Sequence, residues 1–188
     1  MANEIRFGDR IHLLNGYNGW QGGYLDSINH RPAPAKYGVQ TADTPTRGAG
    51  TGTWEILSPE GKATGTNVLS GDVVWLRNLY GGDGGYLDTN GHASSTQKSA
   101  GAKYDVSTSQ SRDRAEGTGR WRIFAQTSTP TDQHVRTGDV LLIWNLYAGN
   151  GGFLETNQHS TEGAKYDVCT NAYFNRAADV AYWKASRA

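Results

Sequence analysis

Three carboxylates in this chain each stand two residues after an aromatic side chain and four residues before a histidine. They are Tyr24, Asp26 and His30 in GGYLDSINH, Tyr86, Asp88 and His92 in GGYLDTNGH, and Phe153, Glu155 and His159 in GGFLETNQH. An aromatic face packs against the C–H face of a sugar ring, and a carboxylate accepts hydrogen bonds from vicinal hydroxyls. A turn between acid and histidine can bring the imidazole back to the same ligand. The set is fullest in its second occurrence, where Asn90 and the later Asp105 join Tyr86, Asp88 and His92. The third keeps Asn157, His159 and Asp167 around Glu155. The first has Ser27-Ile28 in place of the polar pair and Gly38 in place of the later aspartate, so its site is expected to be the weakest. A second reading rests on the same spacing: the acid closes an Asx-type turn by bonding its own backbone, and the histidine covers the loop. Both readings stand on the sequence alone.

The elements that must position these residues also recur three times. Gly-Asp opens each unit at Gly8, Gly71 and Gly138, and an Asn-x-Tyr follows at Asn15, Asn78 and Asn145. After the glycine pair come KYGVQT, KYDVST and KYDVCT, and then an arginine seven residues before a tryptophan: Arg47 and Trp54, Arg114 and Trp121, Arg176 and Trp183. Length changes fall in turn-like segments, including a Ser-rich insertion, HASSTQKSAGAK, in the second unit. That is the signature of a repeated structural unit. The units span approximately 7–69, 70–136 and 137–188 within a single domain over 1–188. Each holds four short strand signals punctuated by glycine, as in VVWLRN, GGYLD, KYDVST and RWRIF.

Strand alternation then predicts the core. Ile11, Leu13, Val74, Leu76, Leu141 and Ile143 share one parity in the first strands. Leu25, Leu87 and Leu154 centre the second, and Val39, Val106 and Val168 the third. Trp54 with Ile56, Trp121 with Ile123, and Trp183 with Ala185 supply the fourth. With the leucines inward, Tyr86 and Asp88 are expected to point outward, as are their equivalents. Tyr37, Tyr104 and Tyr166 fall on the core side by parity and read as structural. The Gly-Asp pairs read as turns, and the arginines as bridges between repeats that bond a loop carbonyl or a carboxylate.

Composition excludes other classes. The 188 residues carry 18 basic and 18 acidic side chains, with no basic block, so the electrostatic footprint of a nucleic-acid binder is missing. No run is long enough for a membrane-inserting helix, and no apolar leader is seen, which points to a cytoplasmic or non-classically released protein. Cys169 is the single cysteine, which excludes an intrachain disulfide and a Cys-rich zinc site. No nucleophile motif, phosphate loop or zinc spacing appears, so catalytic residues, metals and cofactors are not expected, and neither is an enzyme.

Twelve short antiparallel strands in three units resemble the β-trefoil superfamily, including ricin-B-type lectins, over essentially the whole chain. That resemblance implies an all-β fold in which six strands close a barrel and three hairpins cap one end. YLDTNG resembles the segment of ricin-B-type repeats that carries their sugar-binding aspartate, which would give that role to Asp26 and Asp88, with Glu155 a conservative departure. GTGTWEI and GTGRWRI resemble that family's Gln-x-Trp segment, but Gly52 and Gly119 stand where its glutamine would be. Ser107, Gln40 and Cys169 fall where its aromatic platform would be. Fold does not settle function. The leading expectation is a carbohydrate-binding, lectin-like protein with up to three sites, whose partners are glycans or glycoconjugates bound with avidity. The alternative is a non-catalytic protein-interaction or structural module, cytoskeletal or toxin-associated. Homo-oligomerisation stays open.

Overall fold

The computed structural model describes residues 3–126 and 131–188. The four residues outside it at 127–130 fall in the second unit. The first unit forms β1 (Arg10–Asn15), β2 (Tyr24–His30), β3 (Ala35–Ala42) and β4 (Trp54–Leu57). The second forms β5 (Val73–Asn78), β6 (Gly85–His92), β7 (Ala102–Ser109) and β8 (Trp121–Gln126). The third forms β9 (Val140–Asn145), β10 (Gly152–His159), β11 (Tyr166–Asn171) and β12 (Trp183–Arg187). The protein is all-β, as the sequence predicts. No helix among the described residues is long and apolar enough to cross a membrane.

Antiparallel pairing runs β1–β4–β5–β8–β9–β12 and returns to β1, so these six strands close a barrel with no free edge. The remaining strands form three hairpins, β2–β3, β6–β7 and β10–β11. These meet around a common axis through β3–β7, β7–β11 and β11–β3 bridges. Every apolar position predicted from parity lies in one buried cluster, from Ile11 and Leu13 through Trp183 and Ala185. Ile5, Phe7, Val68 and Val135 close that cluster from the loops at the other end.

Three further contacts recur in every unit. Each core tryptophan donates its indole N–H to a hairpin leucine carbonyl at 2.9 Å: Trp54 to Leu25, Trp121 to Leu87, Trp183 to Leu154. The aspartates of the Gly-Asp pairs accept the backbone N–H three residues earlier, from Arg6, Leu69 and Arg136, each at 2.9 Å. Those pairs are turns. The asparagines of Asn-x-Tyr are fully buried and reach into the preceding unit. Asn78 donates to the Thr51 carbonyl at 2.8 Å, Asn145 to Thr118 at 2.9 Å and Asn15 to Val180 at 2.8 Å. Each also accepts the backbone N–H of its own tyrosine. These asparagines, not the arginines, bridge the repeats.

They also explain the glycine pairs. A Cβ on Gly22, Gly84 or Gly151 would overlap the adjacent asparagine side chain. The second glycine of each pair sits at positive φ (89°, 91° and 99°), where a Cβ would also run into a carbonyl of the partner strand.

Candidate functional site

The acids are not exposed as alternation alone suggests. Asp26, Asp88 and Glu155 are buried, at 0%, 1% and 0% exposure. The hairpin face turned away from the barrel does not meet solvent, because the loops after β3, β7 and β11 fold back over it. Their carbonyls at Thr51, Thr118 and Val180 accept the backbone N–H of Ser27, Thr89 and Thr156. Each loop brings its arginine onto the acid of the same unit. Arg47 holds Asp26 at 2.7 Å, Arg114 holds Asp88 at 3.1 Å, and Arg176 holds Glu155 at 3.0 Å. The same guanidinium donates to the next carbonyl, of Ser27, Thr89 or Thr156. The expectation of outward carboxylates is therefore corrected, and so is that of arginines linking repeats. The Asx-turn reading fails too, since the acids bond arginine rather than their own backbone. Burial pushes all three carboxyls above their ordinary range, and the paired arginines oppose it.

The aromatic residues of the motif separate from their histidines. Tyr24 lies edge-on to His12, Tyr86 is 7% exposed between Trp75 and Arg112, and Phe153 packs on Trp144 and Phe174. The histidines leave the other way because each hairpin carries a register shift just before them. Asn29, Gly91 and Gln158 take positive φ at that point. One residue of bulge reverses the face that simple counting assigns.

Asp105, Asp167 and Asn157 also have internal roles. Asp167 accepts from Gln97 at 2.7 Å, and the Asn157 carbonyl accepts from the same amide at 3.2 Å. Gln97 belongs to the short helix Ser95–Ser99, capped by Ser94 through a reciprocal bond with Gln97. The Ser-rich insertion of the second unit is thus a plug on the third. Asp105 and Asp167 face each other near the hairpin axis. Burial, then the Asp167 charge, pushes the Asp105 carboxyl from 3.8 to about 6. In the first unit Gly38 stands at this position because the Arg31 guanidinium, paired with Glu162 at 2.6 Å, occupies the space of the missing side chain. Asn90 is half-buried at the tip of its hairpin. Burial raises the Cys169 thiol well above its ordinary value, as expected of an unreactive interior thiol.

What the fold does bring together is a different set, three times over. His30 lies on Tyr37 (4.7 Å between ring centroids), His92 on Tyr104 (5.7 Å) and His159 on Tyr166 (5.1 Å). The tyrosine of Asn-x-Tyr meets each from another unit, edge-on at 5.3 Å: Tyr80 on Tyr37, Tyr147 on Tyr104, Tyr17 on Tyr166. Each triplet lines a cleft with the arginine of its own unit. The cleft volumes are about 330 Å³ in the first unit, 220 Å³ in the second and 360 Å³ in the third. In every cleft the arginine uses Nε and Nη2 on the acid and the carbonyl, leaving Nη1 without a hydrogen bond among the described residues. The cleft offers aromatic faces, an imidazole, phenol hydroxyls and a guanidinium edge whose charge the buried acid already balances. Among the described residues no three His, Cys, Asp or Glu side chains are placed to hold a metal ion.

Of the residues singled out from the sequence, His30, His92 and His159 line these clefts, and Asn157 lines the third. The two tyrosines and the arginine of each cleft were missed as ligand groups. Their signal was present, since all three positions keep their residue type in every unit. Tyr37, Tyr104 and Tyr166 are half-buried cleft walls rather than core.

No protein-family model matches the sequence, and no curated protein matches it. Solved structures do. The fold is similar to that of the SDF2-like protein from Arabidopsis thaliana, at 15% identity and a TM-score of 0.73, covering 97% of this chain and 94% of that one. It is similar to a Caenorhabditis elegans protein of unknown function at 13% identity and a TM-score of 0.74, covering 98% and 97%. It also matches the S. cerevisiae protein O-mannosyltransferase Pmt1-Pmt2 complex bound to the sugar donor, at 16% identity and a TM-score of 0.71. That match covers 98% of this chain and 25% of the other. These likenesses define a class, an all-β closed barrel with capping hairpins, and speak for fold alone.

Proposed function

We propose that this chain is a β-trefoil, lectin-like protein that binds neutral carbohydrate without catalysis. Its ligand sites are the three clefts of His30, Tyr37, Tyr80 and Arg47; His92, Tyr104, Tyr147 and Arg114; and His159, Tyr166, Tyr17 and Arg176. The observation that carries this reading is the threefold recurrence of one open aromatic–guanidinium constellation at the junctions between units. Tyrosine rings suit the C–H face of a pyranose, and Nη1 with the phenols and imidazole suits its hydroxyls. A buried carboxylate beside each arginine removes the net charge that an anionic ligand would require. Three separated sites of modest affinity suit a polyvalent glycan. A structural neighbour found in a complex bound to a sugar donor supports a carbohydrate-related role.

This reading moves the ligand away from Asp26, Asp88 and Glu155, the residues the ricin-B-type resemblance favours. It also leaves the first unit with a full ring set despite its Ser27-Ile28 change. Calorimetric titration with a panel of neutral, sialylated and sulphated saccharides tests it. The expected result is binding of a neutral sugar, weakened at least tenfold at one of the three sites by His92→Ala. Binding by no member of the panel at tens of millimolar would end the reading.

A further inference from the structure

The three clefts are not equal, and the third has a second depression beside it. Arg176 lines it together with Tyr17, His159 and Tyr166, and the same side chain lines a second depression with Ser99, Ala100, Tyr173 and Asn175. That depression is open, about 510 Å³ in volume. Tyr173 is 62% exposed, the most exposed large hydrophobic side chain among the described residues. Exposure of that kind contributes little to folding, yet the backbone that carries the ring is anchored. The Ala172 N–H donates to the Gly101 carbonyl at 3.1 Å, and the Asn171 amide donates to the Ala100 carbonyl at 2.9 Å. The Tyr173 N–H is tied to Asn171 Oδ1 at 2.9 Å. The ring lies directly over Gly101, at φ 90°, where a Cβ would come within 2.6 Å of it.

Among the described residues the other clefts have no equivalent ring. Thr44 and Ser111 occupy the Tyr173 position in the first and second units. Ser99 and Ala100 come from the insertion unique to the second unit, and they line the depression beside the third cleft. The third cleft is also the most apolar at its back. Val180 stands where Thr51 and Thr118 supply hydroxyls, with Ala177 and Ala178 beside it.

We propose that the third cleft and the Tyr173 depression form one continuous site with two subsites, joined at Arg176. It takes an oligosaccharide of at least two pyranose units, whereas the first and second clefts each hold one. The inner unit packs on Tyr17 and Tyr166, the Arg176 edge donates near the glycosidic linkage, and the outer unit stacks on Tyr173 with Asn175 beside it. The inference rests on the carbohydrate reading above, extending it to ligand length.

Calorimetric titration separates the two. The probes are glucose, mannose, galactose and N-acetylglucosamine, each against a linear trisaccharide of the same sugar, with the wild type, Tyr173→Ala and Tyr173→Phe. The expected result is one site per chain that binds one of the trisaccharides at least tenfold more tightly than its monosaccharide. Tyr173→Ala removes that gain while monosaccharide affinity and thermal midpoint stay unchanged, and Tyr173→Phe keeps it. Monosaccharide binding with no gain for the trisaccharide, or a gain that survives Tyr173→Ala, overturns the second subsite and leaves the clefts standing. Binding of neither class overturns both.

Discussion

Each arginine of the threefold set has two sides, and they teach different things. On one side lies a buried layer of Asp26, Asp88 and Glu155 beneath the return loops, with Asn15, Asn78 and Asn145 bridging the units. On the other lies an open cleft of one histidine and two tyrosines. Both regions recur three times with nearly the same residues, so recurrence cannot say which serves the fold and which serves a ligand. Burial and hydrogen bonding can. In the first layer each acid is held by its arginine and each asparagine by a carbonyl of another unit. In the clefts, arginine Nη1 and the ring faces remain available.

The sharpest way to break the distinction is at the arginine. Arg114→Ala would strand Asp88, already buried and with Oδ1 lacking a partner among the described residues. Losing one partner of a buried ion pair costs roughly 3–5 kcal/mol. Urea unfolding measures this, and a cost below about 1 kcal/mol would mean that the pair is not structural. Asn78→Ala comes next. It removes the bond to the Thr51 carbonyl and the acceptor for the Tyr80 N–H, at a cost of about 2–3 kcal/mol. Thermal unfolding should show this loss while monosaccharide binding to the folded protein persists at the second and third clefts.

Asp105→Asn has a smaller effect of the opposite sign. The Asp105 carboxyl is raised to about 6 in the folded protein, so the folded state holds its proton more tightly than the unfolded chain does. The wild type therefore loses stability as pH rises from about 4 to 6, and the asparagine variant lacks that loss. The variant should match the wild type at pH 3.5 and exceed it by about 1–2 kcal/mol at pH 8. Its sugar affinity should not change. Denaturant unfolding at the two pH values checks the sign, and equal stability of variant and wild type at both would contradict a raised Asp105 carboxyl.

Most of the barrel was legible from sequence because it depends on alternation. Leu13, Leu76 and Ile143 need only a period of two to be assigned to the core, and three copies reinforce each assignment. The site was less legible for two physical reasons. Alternation separates the faces of a strand but not solvent from a covering loop, so Asp88 looked exposed while Arg114 and Thr118 lay over it. A bulge then changes the count, which sends His92 to Tyr104 rather than back to Asp88. The tyrosine across the cleft comes from a neighbouring unit, a contact that no spacing within one repeat encodes. Tyr80 and Tyr147 were visible as markers of repetition, but their role appears only when consecutive units pack.

The imidazole signals offer the most direct test of the clefts as ligand sites. The chain has five histidines, of which His30, His92 and His159 line clefts and His12 and His134 do not. A two-dimensional NMR titration of the histidine rings with a saccharide that binds in calorimetry follows all five at once. The expected result is saturable shifts at His30, His92 and His159, with His12 and His134 unmoved. Binding that moves His12, which packs on the motif aromatic Tyr24, and leaves the three cleft histidines still would contradict it.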